Sequence, residues 1–279
     1  MTEQATYQPE SRVAIFFRSF FLLILFVVIG GGIGWGIATN QPPQWKVTAK
    51  FEPPKVVNLG NYYDLASTYL LLQGGSTGLE STDKVIEEQS YNEFKRSLNS
   101  PDILQQFLLQ NDQVNKLAKN YKVSIETMSQ QLFGQFQFKD KENVLSFSFD
   151  NAELSYQILN DYIQFVTDQT RSILNGELVA KWRVLFQQVK LAAETNLGAI
   201  QQGNQVVQQD WAGKLTLMRS AQPLDDKLVP YHFVQSPVMP LSPYSPDKLL
   251  WTMLGALGGL LLGFFVISIS SFFANANES

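Results

Sequence analysis

Cysteine is absent from the 279 residues, which excludes disulfides, thiolate metal ligands and cysteine nucleophiles together. Histidine occurs once, at position 232, between Tyr231 and Phe233 in a stretch that reads as a strand, where a packing or surface role fits better than a catalytic base. Charge is also scarce: 16% of residues carry it, against about one quarter in a soluble domain. The scarcity is segregated. Ser19 to Trp45 and Leu249 to Asn277 contain no Lys, Arg, Asp or Glu, so every charge lies outside two long uncharged blocks. Proline is missing between Pro101 and Pro223, leaving the middle of the chain free to form long helices.

The uncharged blocks contain Phe20 to Ala38 and Leu249 to Phe273, each at or beyond the roughly 17 residues a helix needs to cross about 30 Å of hydrocarbon. Two transmembrane helices are predicted. They divide the chain into a cytoplasmic head 1–19, a first span 20–38, an exterior region 39–248, a second span 249–273 and a cytoplasmic tail 274–279. Arg12 and Arg18 precede the first span, and this basic bias favours a cytoplasmic N-terminus and hence a periplasmic exterior region in a Gram-negative cell. A cleaved signal peptide, with Gly36 and Ala38 at the cleavage site, is the competing reading. The exterior region carries 19 basic and 22 acidic residues, with no basic footprint for nucleic acid.

Within it, Trp45, Val47, Ala49 and Phe51 alternate with polar residues, the period of a half-buried strand, and Glu52, Pro53 and Pro54 end it. Tyr62 to Leu72 reads as a short helix, followed by a Gly74, Gly75, Ser76 loop. Tyr91, Phe94 and Leu98 mark another helix, and Ser100 can cap a helix beginning at Pro101, continued by Ile103, Phe107 and Leu108. Phe136 and Phe138, then Leu145, Phe147 and Phe149, alternate about the polar turn Lys139 to Asn143 as a hairpin with one aromatic face.

Asp150 and Glu153 have the spacing of a capping box and open the longest periodic segment. Leu154, Ile158, Tyr162, Phe165, Leu178, Trp182, Leu185 and Val189 recur at helical spacing, predicting a helix from Ala152 to about Gln202, ~77 Å long at 1.5 Å per residue. A compact domain of this size has a radius of gyration near ~17 Å, so such a helix should project from its base. Gly203 and Asn204 are the expected break, with Val206, Val207, Trp211, Leu215 and Met218 on an antiparallel return helix; one rod continuing to Ser220 is the alternative. Tyr231 and Phe233 read as a strand returning to the sheet.

Before the second span, Pro237, Pro240, Pro243 and Pro246 recur every three residues, the period of polyproline II, which would align their rings along one stiff rod. Gly255, Gly259 and Gly263 follow at four-residue spacing, the small-xxx-small pattern that permits close helix approach. The first span offers Gly32 and Gly36, or Gly30 and Gly34, as the facing surface.

Together with the two terminal spans, the strand Trp45 to Phe51 and the segment YNEFKRSLNSPDILQQF from Tyr91 to Phe107, this order of motifs resembles the polysaccharide co-polymerases, the Wzz-type chain-length determinants of bacterial surface glycans. The resemblance implies an α+β inner-membrane protein. Its two transmembrane helices flank a periplasmic α/β base (39–150 and 221–236), a long helix or hairpin (151–220) and the proline-rich segment (237–246). It implies a ring of identical copies, a membrane polysaccharide polymerase as partner, contact with the growing glycan, and control of the length of lipopolysaccharide O-antigen or enterobacterial common antigen. Leu178, Trp182, Leu185 and Val189 are candidate contacts of the long helix, with an intramolecular core along the hairpin as their other role. The chain is shorter than many family members between the hairpin and the proline run.

No catalytic residue, metal site or cofactor is expected. The Gly213–Lys214 pair has Gln208 and Leu215 where a phosphate-binding loop needs Gly and Ser or Thr. The adjacent carboxylates Asp225 and Asp226, and Glu87 and Glu88, read as solvated faces. A periplasmic adaptor of a polysaccharide export system is the alternative function, and a two-span receptor a more remote one, since head and tail are too short for an output domain. The exterior region also holds 24 glutamines, five of them between Gln201 and Gln209 at the expected tip, so its surface is hydrated largely by neutral amides.

Overall fold

The computed structural model describes residues 12–74, 79–195, 197, 199–202, 205–208 and 210–276. They form two units, Met1–Trp45 with Leu241–Ser279, and Lys46–Pro240.

In the first unit, α1 (Arg12–Asn40) and, at the far end of the chain, α9 (Lys248–Ala276) are both long and apolar enough to cross a membrane. Asp247 caps α9: its Oδ1 accepts from the backbone N–H groups of Leu249 and Leu250 at 3.0 and 3.2 Å, so an acidic side chain meets the positive end of the helix dipole. Gln44, just past α1, donates its N–H to the Ser245 carbonyl at 2.8 Å and accepts from the N–H of Tyr244 at 2.8 Å. This clamp ties the exit of one helix to the approach of the other.

The second unit takes in β1 (Trp45–Glu52) from Lys46 onward, then a 3₁₀ turn (Val56–Asn58), α2 (Asn61–Leu72), α3 (Leu79–Leu98), α4 (Pro101–Gln110), α5 (Asp112–Tyr121) and α6 (Ile125–Phe133). It continues through β2 (Phe136–Lys139), β3 (Val144–Phe149), α7 (Ala152–Glu194), β4 (Ala199–Gln202), β5 (Gln205–Gln208), α8 (Trp211–Arg219) and β6 (His232–Gln235). The main sheet has the order β2-β3-β1-β6. β2 and β3 pair antiparallel with Phe136 opposite Phe147 and Phe138 opposite Leu145, the aromatic face expected from the alternation. β6 returns to pair antiparallel with β1, His232 standing opposite Glu52.

The inner residues of β1, Val47, Ala49 and Phe51, are buried against Phe94, Phe147, Ile158, Leu159 and Tyr162. Phe51, Phe94 and Tyr231 pack with ring centroids 4.5 to 5.2 Å apart, within the range favourable for aromatic pairs. Tyr162 donates its hydroxyl proton to the Leu98 carbonyl at 3.1 Å, which satisfies a polar group that would otherwise be costly to bury.

Local capping sets the helix starts. The Ser100 hydroxyl accepts from the N–H of Ile103 and Pro101 occupies the first helical position, as expected. The cap of α7 lies one residue later than the expected one: Asn151 Oδ1 accepts from the N–H of Leu154 at 3.0 Å, and Asp150 instead accepts from the Tyr121 hydroxyl at 2.8 Å. With Ala152 as first helical residue, Asn151 is the half-in position from which a short side chain reaches the free N–H groups.

The far end of α7 also departs from expectation. The helix has 43 residues, ~65 Å, and stops at Glu194 rather than near Gln202. The Thr195 hydroxyl bonds back to the Leu191 carbonyl at 2.7 Å. Beyond it the chain forms the β4–β5 hairpin, with Ile200 opposite Val207 and Gln201 opposite Val206. Val206 and Val207 therefore belong to a strand, and neither a continuous rod to Ser220 nor a purely helical tip is formed. Gly203 and Asn204 lie outside the described residues, as do Gly75 and Ser76. α8 then returns along α7, with Met218 buried beside Val189 and Leu224 and Leu228 packed beside Leu174 and Leu178. Arg171 fixes the descending chain, donating from Nε to the Leu228 carbonyl at 3.0 Å while pairing with Asp168 at 2.8 Å.

Candidate functional site

The α1–α9 contact is built from glycines because backbone must meet backbone. A Cβ on Gly30 would fall on the Gly255 carbonyl oxygen, one on Gly34 on that of Trp251, and one on Gly259 on that of Phe26. Gly263 is less confined, since its added Cβ would meet the Phe26 Cβ at 3.3 Å. The register runs antiparallel, so the four-residue spacing of Gly255, Gly259 and Gly263 matches rising positions on α9 to falling ones on α1. Gly32 and Gly36 do not take part: a Cβ on either meets nothing within 4 Å. The Gly30 and Gly34 face is used instead. At about 100° per residue, two residues of offset carry a side chain to the opposite side of the helix, so the two candidate faces of α1 could not both serve.

The proline run is not one straight rod. Pro237 and Pro240 fall in the second unit and Pro243 and Pro246 in the first, and the backbone bends at Leu241 and Ser242 between them. The Ser245–Pro246 peptide is cis. Hydrogen bonding to Gln44 at Tyr244 and Ser245 takes the place of a free polyproline helix there.

Along α7, Leu178 and Val189 are buried, and Trp182 and Leu185 are half-buried against them. All four face α2, α8 or the descending chain, so they form the intramolecular core of the hairpin. The exposed apolar residues of α7 are others, Val179, Val184 and Leu191.

Of the two carboxylate pairs, Asp225–Asp226 contributes a helix cap. Asp225 Oδ1 accepts from the N–H of Asn61 at 3.3 Å and so caps α2 from more than 160 residues away in sequence; Gly60 takes a positive φ of 54° at this junction. Among the described residues no group of three His, Asp or Glu is placed to hold a metal. His232 is half-buried on β6. Gly213 and Lys214 lie in the first turn of α8, where Asp210 caps the N–H of Gly213 at 2.7 Å and the Lys214 ammonium sits 4.9 Å from the Trp211 ring centroid.

A cleft of about 550 Å³ opens between α2, α3 and α7, floored by Tyr62, Ile86 and Leu178 and walled by Tyr69, Asn92 and Lys181 among others. Burial pushes the Tyr62 phenol up to about 12, with the Glu177 carboxylate adding to the rise. Periodicity in the sequence could not reveal this cleft, because its walls come from three helices and its polar residues occupy their exposed faces.

No family model matches the chain. Over 108 residues it is 39% identical to an uncharacterized protein of Haemophilus influenzae, a match covering 37% of this chain and 90% of that one. Over 155 residues it is 27% identical to a Salmonella typhimurium protein described as an ECA polysaccharide chain length modulation protein, covering 53% of this chain. The match spans 44% of that relative's length. Among solved structures, a full-length bacterial polysaccharide co-polymerase superposes with a TM-score of 0.59 at 15% identity, covering 98% of this chain and all of that one. The periplasmic domain of a chimeric WzzB chain length regulator superposes with a TM-score of 0.50 at 13% identity over 72% of this chain. The superposition extends over this chain's paired apolar terminal helices, its small antiparallel sheet and its long helix. The chain has the fold of the polysaccharide co-polymerases and is similar in sequence, over about half its length, to a chain length modulation protein.

Proposed function

We propose that this protein is a non-catalytic regulator of chain length for a bacterial surface polysaccharide, lipopolysaccharide O-antigen or a related glycan. It acts as a homo-oligomeric co-polymerase of the inner membrane, working with a membrane polymerase. The observation that carries this reading is the 27% identity to a chain length modulation protein, found on a chain that shares the co-polymerase fold along 98% of its length. Arg12 and Arg18 at the start of α1 favour cytoplasmic termini by the positive-inside rule, which puts the sheet and the α7 hairpin in the periplasm.

The mechanism requires geometry rather than bond chemistry. α1 and α9 hold each copy in the bilayer as a close pair, and the long, internally packed α7 hairpin is stiff enough to keep one shape while a ring of copies meets polymerase and glycan. The state of that ring then biases release of the polymer against another round of extension.

Deleting the gene and resolving the surface polysaccharide by gel electrophoresis tests the proposal. Loss of the modal length, restored by a plasmid copy, is the expected outcome; an unchanged ladder overturns it. Intracellular retention of glycan would assign the protein to export instead. Light scattering of the full chain in mild detergent should give a mass several times that of one copy, and a monomer alone would remove the ring from the mechanism.

A further inference from the structure

We propose that the cleft between α2, α3 and α7 binds an oligosaccharide, an inference that rests on the reading of the protein as a regulator of glycan length. Its dimensions suit a short polymer segment. The cleft of about 550 Å³ adjoins a second of about 440 Å³, and the two share Tyr69, Gln73 and Lys181. Together they follow α7 from Leu174 to Gln188, ~21 Å at 1.5 Å per residue, enough for several linked sugar rings and too long for one.

The chemistry of the walls favours a neutral, hydroxyl-rich ligand. A pyranose offers weakly positive C–H groups on its faces and hydroxyls around its edge. Tyr62 and Tyr69 supply rings whose negative π faces complement the former. Gln73, Gln89, Asn92 and Gln188 supply amides, each able to donate and accept at once, as paired hydroxyls require. The amides of Gln89, Asn92 and Gln188 are exposed and make no hydrogen bond within the described residues, so they are available to a ligand.

Charge points the same way. Arg96 pairs with Glu93 at 2.7 Å and Lys181 with Glu177 at 3.7 Å. Each cation on the wall has a carboxylate beside it, leaving no excess of either sign to attract a polyanion or a basic peptide. The floor is firm, since Tyr62, Ile86, Leu174 and Leu178 are buried in the core that joins the three helices, and a ligand would meet a largely formed surface rather than one it must order.

The test uses the full chain in mild detergent. The probe is the surface polysaccharide of the cells that make the protein, hydrolysed to oligosaccharides of graded length and labelled at the reducing end. Fluorescence anisotropy should show binding that strengthens with length and then levels off as the groove fills. Tyr69→Ala and Asn92→Ala should each weaken it about tenfold, the effect of losing one well-placed contact. Gln130→Ala, an exposed amide on α6, should leave it unchanged. The melting temperature of each variant, unaltered from the parent, shows that the loss is local.

Absence of binding by the parent protein, or equal affinity in the cleft variants, overturns the assignment. So does a change in oligomeric mass in those variants with oligosaccharide binding intact, which would make the cleft a contact between copies. The two readings fail separately. If deletion of the gene alters glycan length while the parent binds no oligosaccharide, the cleft assignment falls alone; if oligosaccharide binds there and deletion alters nothing, the regulatory function falls.

Discussion

Gly30 and Gly255 occupy each other's side-chain space: a Cβ added to either would fall on the carbonyl oxygen of the other. The obstruction in both directions is backbone, which cannot swing aside as a side chain can. Gly255→Ala is therefore expected to force α1 and α9 apart and lower stability by about 1–3 kcal/mol, the usual cost of overpacking. Gly32→Ala, placed in open space, should stay within ~0.5 kcal/mol of the parent. Thermal denaturation in detergent, followed by the fluorescence of Trp251 beside Gly34, measures both. Equal melting temperatures for the two variants would contradict the assigned face.

The α7 hairpin offers a comparison between core and surface on one helix. Leu178 is 5% exposed and lies against Leu174, Leu228 and the α2 residues Tyr62 and Leu65. Truncation to Ala should cost about 2–5 kcal/mol by lost burial and residual cavity. Val184 is 56% exposed, and Val184→Ala should change stability by no more than ~0.5 kcal/mol. Chemical denaturation of the full chain distinguishes this from an arrangement in which both residues serve contacts between copies.

Tyr62 gives an alkaline signature. Burial raises its phenol to about 12 in the folded protein, whereas an unfolded chain releases that proton near pH ~10. Between about pH 10 and 12 the folded state therefore binds more protons than the unfolded one, and stability falls as pH rises; below about pH 10 the contribution is fully present. Tyr62→Phe should flatten part of this decline. Melting temperatures of both proteins between neutral and strongly alkaline pH test the sign, and a parent stability that rises above pH ~10 would refute it.

Much of the second unit is legible wherever one short-range pattern dominates. The alternation of Val47, Ala49 and Phe51 marks β1, the aromatic alternation about Lys139 to Asn143 marks β2 and β3, and Ser100 followed by proline marks the start of α4. Where the pattern is weak, the reading falls short. The first half of α3, from Glu80 to Ser90, buries little beyond Ile86 and Ser90, so it has no apolar stripe to betray it. α5 and α6 carry a short signal, Asn111 and Ser124 at their caps with Val114, Leu117 and Ala118 behind the first, and at about ten residues each they are inconspicuous beside stronger elements. At the far end of α7, the composition of Gly203 and Asn204 fits a break between helices. They also have the composition of a two-residue hairpin loop, and the strands Ala199–Gln202 and Gln205–Gln208 pair around that position.

By itself the sequence determined the two apolar terminal helices, the strands of the sheet and a helix of exceptional length, because hydrophobic period, charge exclusion and proline absence act over a few neighbouring residues. Tertiary structure alone decided which glycine face of α1 meets α9, that Leu178 and Val189 are spent on the molecule's own core, and that α7 joins α2 and α3 around an amide-lined cleft. Those outcomes depend on how each helix is rotated about its axis against a partner remote in the chain. The four-residue repeat is satisfied equally by Gly30 with Gly34 and by Gly32 with Gly36, and only the docked backbone of the second helix distinguishes them.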